Sequence, residues 1–241
     1  MQCAGAYAVF DEIDSPVTQS FGLGIFEEPS AASMEQIERF FFDRGATVMH
    51  EVSPLAGVAT IDLLCARGYR PIEISSVLYR PFVPDFERPT KDDNGITVRV
   101  IAREEAPLWA GISARGWSHE YPELRDFLNQ FGALVTAREQ SVCFLAEVDR
   151  QPGAAGVLCL HEGVALFGGA STVPEMRRRG LQSALLQARM RYAFERGCDL
   201  VMMVTEAGSQ SQRNAERKGF RIAYTRTKWR LSLPASDTGK D

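Results

Sequence analysis

The sequence predicts a mixed α/β fold, α+β in character: a twisted, mostly antiparallel sheet with flanking helices, preceded by a partial repeat of the same arrangement. Three observations predict it. Strand-like apolar runs alternate along the chain with stretches of helical period. Three of those runs, 142–148, 155–161 and 164–173, are joined only by Asp149-Arg150-Gln151-Pro152-Gly153 and His161-Glu162-Gly163, so they read as an antiparallel meander. Two distant segments also repeat one order of elements. The first runs from Phe42-Asp43-Arg44-Gly45 through an apolar strand and a helix to Arg67-Gly68-Tyr69-Arg70. The second runs from Phe194-Glu195-Arg196-Gly197 through the same elements to Lys218-Gly219-Phe220-Arg221. Gly45 to Gly68 spans 23 positions and Gly197 to Gly219 spans 22.

Taken in order, residues 6–10 and 17–26 read as strands, the second with Gly22 and Gly24 as bulges. Ser33 and Gln36 fit a capping box for a helix carrying Met34, Ile37, Phe40 and Phe41 on one side, which Gly45 ends. A strand at 47–52, a helix closed by Gly68 and an extended stretch at 72–83 complete the first part. Pro84 and Pro89 with Lys91-Asp92-Asp93-Asn94-Gly95 mark a linker. The expected organisation is a partial domain at 1–83, a linker at 84–95, a full domain at 96–233 and a frayed tail at 234–241.

The second part opens with a strand at 96–101, then helices at about 104–113 and 122–132 and the meander. The helix after it has Leu181, Ala184, Leu185, Ala188 and Tyr192 at the 3.6-residue period and ends at Gly197. Leu200 to Val204 is continuously apolar, as a strand covered on both faces should be. Ser209 and Gln212 fit a capping box for a last helix, and 221–232 reads as a strand or hairpin.

Composition narrows the function. The chain has 241 residues, 45% hydrophobic and 24% charged, with a net charge of -4. An acidic balance argues against general binding of nucleic acid and against attraction to anionic membranes. There is no charged-then-apolar leader and no apolar run of membrane-spanning length, so a cytoplasmic protein is expected. Cys3, Cys65, Cys143, Cys159 and Cys198 are odd in number and scattered, which suits reduced thiols. His50, His119 and His161 have no second ligand at metal spacing, so no metal site is expected.

One stretch carries chemistry: Val173-Pro174-Glu175-Met176-Arg177-Arg178-Arg179-Gly180-Leu181-Gln182-Ser183. A strand enters it and a helix leaves it. A helix N-terminus offers unpaired N–H groups and a partial positive charge, Gly180 lets an anion approach the backbone, and the arginines add charge. A phosphate-bearing ligand is the local expectation. In the first copy the equivalent turn is Glu27-Glu28-Pro29-Ser30, which repels phosphate, so one working site is expected.

With these residues in place, 96–231 resembles a GNAT-superfamily N-acetyltransferase. The order strand, two helices, three strands, helix, strand, helix, strand is that family's order. Arg177-x-x-Gly180-x-Gln182 resembles its cofactor signature Q/R-x-x-G-x-G/A, and Lys218-Gly219-Phe220 falls on its G-F. Residues 1–83 resemble the last half of the same fold, degenerate and lacking the cofactor loop, so the whole resembles a tandem GNAT protein. The resemblance implies acetyl-CoA as cosubstrate, held by Arg178, Arg179, Gly180, Leu181, Gln182 and Ser183. It implies main-chain contacts from Thr172 and Val173 to the pantetheine arm and thioester. It also implies direct attack by a primary amine of a small molecule or peptide. Gln182 stands where glycine or alanine is usual. The family's assisting tyrosine and asparagine fall on Ala215 and Gly208, so neither role carries over. Glu206 is the candidate base, and Trp109, Trp117 and Tyr121 are candidates for the acceptor side. A tandem chain can replace a dimer interface, which favours a monomer. The alternative reading is a CoA-binding sensor or interaction module without turnover.

Overall fold

The computed structural model describes residues 1–82, 95–119, 122 and 125–233. The linker at 84–94 and the tail at 234–241 lie outside the described residues. The chain forms two compact units. The first comprises Met1–Val77, Thr205–Lys218 and Ile222–Asp241; the second comprises Leu78–Val204 and Gly219–Arg221. The units therefore cut the chain differently from a simple split at the linker, because the last helix and most of the last strand fold with the N-terminal residues.

The first unit contains β1 (Gln2–Cys3), β2 (Ala6–Val9), β3 (Gln19–Phe21), α1 (Ala31–Phe42), β4 (Val48–Val52) and α2 (Gly57–Ala66). It also holds most of β5 (Arg70–Pro81), α6 (Gln210–Arg217) and β11 (Arg221–Leu231). Its strand order is β1-β2-β3-β4-β11-β5, so the last strand of the chain is inserted between β4 and β5. The stretch at 17–26 is shorter than its pattern suggested, since Gly22 and Gly24 both take positive φ and end β3 at Phe21. The cap of α1 is Ser30, three residues before the expected Ser33. The Ser30 side chain accepts from the Ser33 N–H, and the Ser33 hydroxyl accepts from the Ser30 N–H in return.

The second unit contains β6 (Ile96–Val100), α3 (Ala106–Ser118), α4 (Arg125–Ala137), β7 (Ser141–Val148), β8 (Gln151–His161), β9 (Val164–Thr172), α5 (Leu181–Glu195) and most of β10 (Leu200–Glu206). The strand order is β10-β9-β8-β7-β6. β6 through β9 are antiparallel neighbours, and β10 runs parallel to β9. Helix α5 lies across one face, where Phe144 meets Tyr192 edge-on. Helices α3 and α4 cover the other. They approach closely at Gly132, where a Cβ would come within 2.6 Å of the Ala110 Cβ.

The sheet is thus mixed and mostly antiparallel, with flanking helices. The order β3-α1-β4-α2-β5 repeats as β9-α5-β10-α6-β11, and in both copies the first two strands pair in parallel. The helix-stopping glycines match in conformation, with φ of 72° and 84° at Gly45 and Gly68 against 73° and 83° at Gly197 and Gly219. Among the described residues no helix is long and apolar enough to cross a membrane.

Beneath α1 and α2 the first unit buries a chain of polar groups. Ser20 bonds His50 Nδ1, His50 Nε2 lies 3.0 Å from the Tyr69 hydroxyl, and that hydroxyl donates to Glu38 at 3.1 Å. Arg67 closes the chain on Glu38 with two bonds. Tyr69 has one proton and gives it to the carboxylate, so His50 must donate from Nε2 and accept from Ser20 at Nδ1. Burial holds the His50 imidazole neutral, with its pKa lowered to about 3. The unfolded chain protonates His50 near its ordinary pKa. This contribution to stability is therefore full above that value and is lost as pH falls toward 3. Urea unfolding across this window should lose about 1.4 kcal/mol per pH unit from this group. In His50→Gln the pH slope should be shallower by about one proton. An unchanged slope would assign the acid sensitivity to other groups.

Candidate functional site

The site begins with a defect in β9. Its register with β8 runs Leu158↔Phe167 and Val157↔Gly168, then resumes at Ala155↔Ser171, so β9 carries one extra residue there. Gly169 takes up the irregularity at φ 54°. The extra residue reverses which face the strand presents. Phe167 lies under the Arg189 guanidinium of α5, 4.9 Å from it, whereas Ser171 turns to α3 and donates to the Ser113 carbonyl at 3.1 Å. In a regular strand residues four apart face the same side.

The same bulge parts two strands. β9 pairs with β10 only from Val164↔Leu200 to Phe167↔Met203, yet continues for five more residues to Thr172. A bulge bends its strand and ends pairing on one side. β9 stays bound to β8 and leaves β10, so the two open a V toward their C-terminal ends.

The mouth of the V carries the arginine-rich turn. Pro174–Met176 form one 3-10 turn, Arg178 has φ 61° and Gly180 has φ 87°. Gly180 is the N-cap of α5 and supplies no side-chain acceptor. The first helical bond runs from the Ala184 N–H to the Gly180 carbonyl, at 3.0 Å. The N–H groups of Leu181, Gln182 and Ser183 precede it at an uncapped helix N-terminus. Arg178 and Arg179 are exposed beside them. The contrast with the first copy is local and chemical, because the N-terminus of α1 is closed by its own Ser30 and Ser33 hydroxyls.

Other loop residues hold the turn in place. Arg177 donates to the Thr172 carbonyl at 3.3 Å and to the Gly116 carbonyl, near the end of α3, at 3.1 Å. The Gln182 carboxamide donates to the Thr172 hydroxyl at 2.8 Å, which ties the helix start to the strand end. Val173 is committed on both sides. Its N–H donates to the Gly153 carbonyl and its carbonyl accepts from the Met176 N–H. Antiparallel neighbours alternate, so Thr172 directs its main-chain groups to the opposite edge of β9.

The remaining candidates separate. Trp109 is 2% exposed and its indole N–H donates to the Phe144 carbonyl, so it anchors α3 in the core. Trp117 is half-buried near the end of α3. Tyr121 lies outside the described residues. Glu206 is the exposed last residue of β10 and belongs to the first unit. Glu175 pairs with Arg115 on the surface. A cavity of about 470 Å³ between α3 and α4 is lined by Arg103, Asn129 and Thr136 and shares no residue with the loop.

Two features escaped the sequence reading. The Gly168-Gly169 pair in mid-strand is a bulge signal that was open to view. Arg189 follows Leu181 and Leu185 at spacings of four, which puts it on the inward face of α5. If Trp109 is a core anchor, Trp109→Ala should cost about 3–5 kcal/mol of unfolding free energy. The change would be read as a lower urea midpoint. A stable variant with only a raised acceptor KM would contradict it.

Residues 101–220 match the family model described as the acetyltransferase (GNAT) family. Among solved structures the chain is similar to a GCN5-related N-acetyltransferase from Kribbella flavida, with 18% identity and a TM-score of 0.72 over 99% of this chain and 90% of that one. It is similar to a GCN5-related N-acetyltransferase from Sphaerobacter thermophilus, with 17% identity and a TM-score of 0.65 over 90% of this chain and 74% of that one. A tandem GNAT protein from the clavulanic acid biosynthesis pathway is 16% identical, with a TM-score of 0.63 over 86% of this chain and 70% of that one. At these identities the likeness speaks to the fold. The comparison with curated proteins finds no match. Carrying that family's fold and matching its model over 101–220, the chain belongs to the acetyltransferase (GNAT) family of acyltransferases, whose acyl donor is in general acetyl-CoA.

Proposed function

We propose that the chain is a cytoplasmic, monomeric N-acetyltransferase that transfers the acetyl group of acetyl-CoA to a primary amine of a small molecule or peptide by direct attack. The observation that carries this reading is the uncapped N-terminus of α5 at the mouth of the V between β9 and β10. Its chemistry fits a diphosphate. The N–H groups of Arg179 through Ser183 supply donors, Arg178 and Arg179 supply charge, and Gly180 leaves room for close approach. Gln182 keeps its own N–H at that mouth because its side chain is drawn to Thr172. Thr172 offers its N–H at the cleft edge for the pantetheine arm, while its carbonyl is held by Arg177. Val173, with both main-chain groups engaged, supports the loop.

Acetyl-CoA supplies an activated acyl group with a thiol leaving group. The residues of this chain orient it and manage protons. An attacking amine must be neutral, and Glu206 is the proposed base that takes its proton. Trp117 and Tyr121 are proposed for the acceptor side. Ala215, at the position of the family's tyrosine, is 1% exposed and has no acid to offer. That observation favours a second reading, a CoA-binding module without turnover.

A thiol-release assay with acetyl-CoA and a panel of amines separates the two. The transferase reading expects release on at least one amine, and tight calorimetric binding with no release on any amine supports the second. Glu206→Gln should lower kcat at neutral pH and leave the KM for acetyl-CoA unchanged. A fully active variant would remove Glu206 as the base. Gly180→Glu should weaken acetyl-CoA binding by at least roughly tenfold, through charge and bulk. Gly180→Ala serves as its control, since at φ 87° any side chain costs about 1 kcal/mol of backbone strain. Equal affinity in Gly180→Glu and wild type would remove the site assignment.

A further inference from the structure

Among the described residues of the second unit Arg189 is the most deeply buried cation, 2% exposed on the inner face of α5. Burial of this kind disfavours charge, and it lowers the pKa of the guanidinium to about 10. Among the described residues no carboxylate pairs with it. Its partners are carbonyls instead. Nε donates to Leu185 within the helix at 3.3 Å, and one terminal nitrogen donates to both Val157 and Gly168 at 3.2 Å.

Those two carbonyls come from opposite strands at the edge of the bulge. Val157 and Gly168 are the last aligned pair before the register slips. For one nitrogen to reach both, both carbonyls must lean toward α5. The face of Phe167 supports the guanidinium from the same strand. Gly156 makes room for it, because a Cβ there would sit 3.3 Å from the guanidinium carbon. A buried cation without a counter-charge is costly to keep. Here its hydrogen bonds converge on the one irregular point of β9.

We infer that Arg189 is a positioning residue that pins the β9 bulge by binding the Val157 and Gly168 carbonyls, and so sets where β9 leaves β10 and how its free edge up to Thr172 meets the pantetheine arm and thioester. This rests on the transferase reading for its consequence in catalysis. The pinning itself does not depend on it. The loop at Arg179–Ser183 is built by other contacts, so cofactor affinity and turnover should respond differently.

The test compares Arg189→Met, which keeps length and removes the donors, with Arg189→Lys, whose ammonium can still donate to both carbonyls. Arg189→Met should lower kcat by roughly ten- to a hundredfold, while the calorimetric Kd for acetyl-CoA stays unchanged. Arg189→Lys should recover part of the loss. Amide relaxation dispersion, read on the unliganded full chain, should appear at Gly168–Ala170 in Arg189→Met and be absent in wild type. A Met variant with wild-type kcat, or a parallel loss of kcat, acetyl-CoA affinity and thermal stability in both variants, overturns the inference. If wild type acetylates no amine, the functional reading fails separately. The dispersion at the bulge then decides alone, its appearance supporting the pinning and its absence overturning it. If Arg189→Met does not fold, Gly156→Ala replaces it. There a smaller fall in kcat with the same dispersion supports the pinning, and neither change overturns it.

Discussion

One extra residue in β9 governs the second unit. A strand bound on both edges has no backbone left for a ligand. The bulge between Phe167 and Ser171 keeps β9 on β8 and takes it off β10. Three consequences follow from that step. A backbone edge that β10 no longer pairs opens, the strand end is delivered to the α5 N-terminus, and the facing of side chains reverses so that the Ser171 side chain abuts α3. The loop residues then have fixed points to hold. Arg177 and Gln182 both bind Thr172, and Arg177 also binds the end of α3.

The two copies of the strand–helix–strand unit show why the same topology does not give the same chemistry. Both place a helix after a strand and return in parallel. At α1 the first-turn donors meet the Ser30 and Ser33 hydroxyls, behind Glu27 and Glu28. At α5 the cap is a glycine and the flanking residues are cationic. The difference is a handful of side chains at one helix end, and it moves that end from self-satisfied to available for an anion.

Much of this was legible in the sequence because it is local. The glycine stops, the meander turns and the continuous apolar run at 200–204 each state their conformation within a few residues. The arginine turn and its glycine were legible for the same reason. Non-local pairing was not: nothing near Arg221–Leu231 announces insertion between β4 and β5, so the compact units differ from the linker-based division. The α1 cap lies three residues before the expected Ser33, because Ser33 serves as the reciprocal partner of Ser30 and not as the cap itself. Trp109 could be read as pocket or core from spacing alone, and only burial decides it. The role of Arg189 is not legible locally, because its carbonyl partners lie on strands 21 to 32 residues away.

We propose that α5 begins at the anion-binding helix start, while its twin at α1 is closed by its own hydroxyls. An amide titration of the full chain with CoA tests it most directly. Shifts concentrated at Arg179–Ser183, with the amides of Ser33 and Met34 unmoved, are expected. Shifts at both helix starts, or none at Arg179–Ser183, would contradict it.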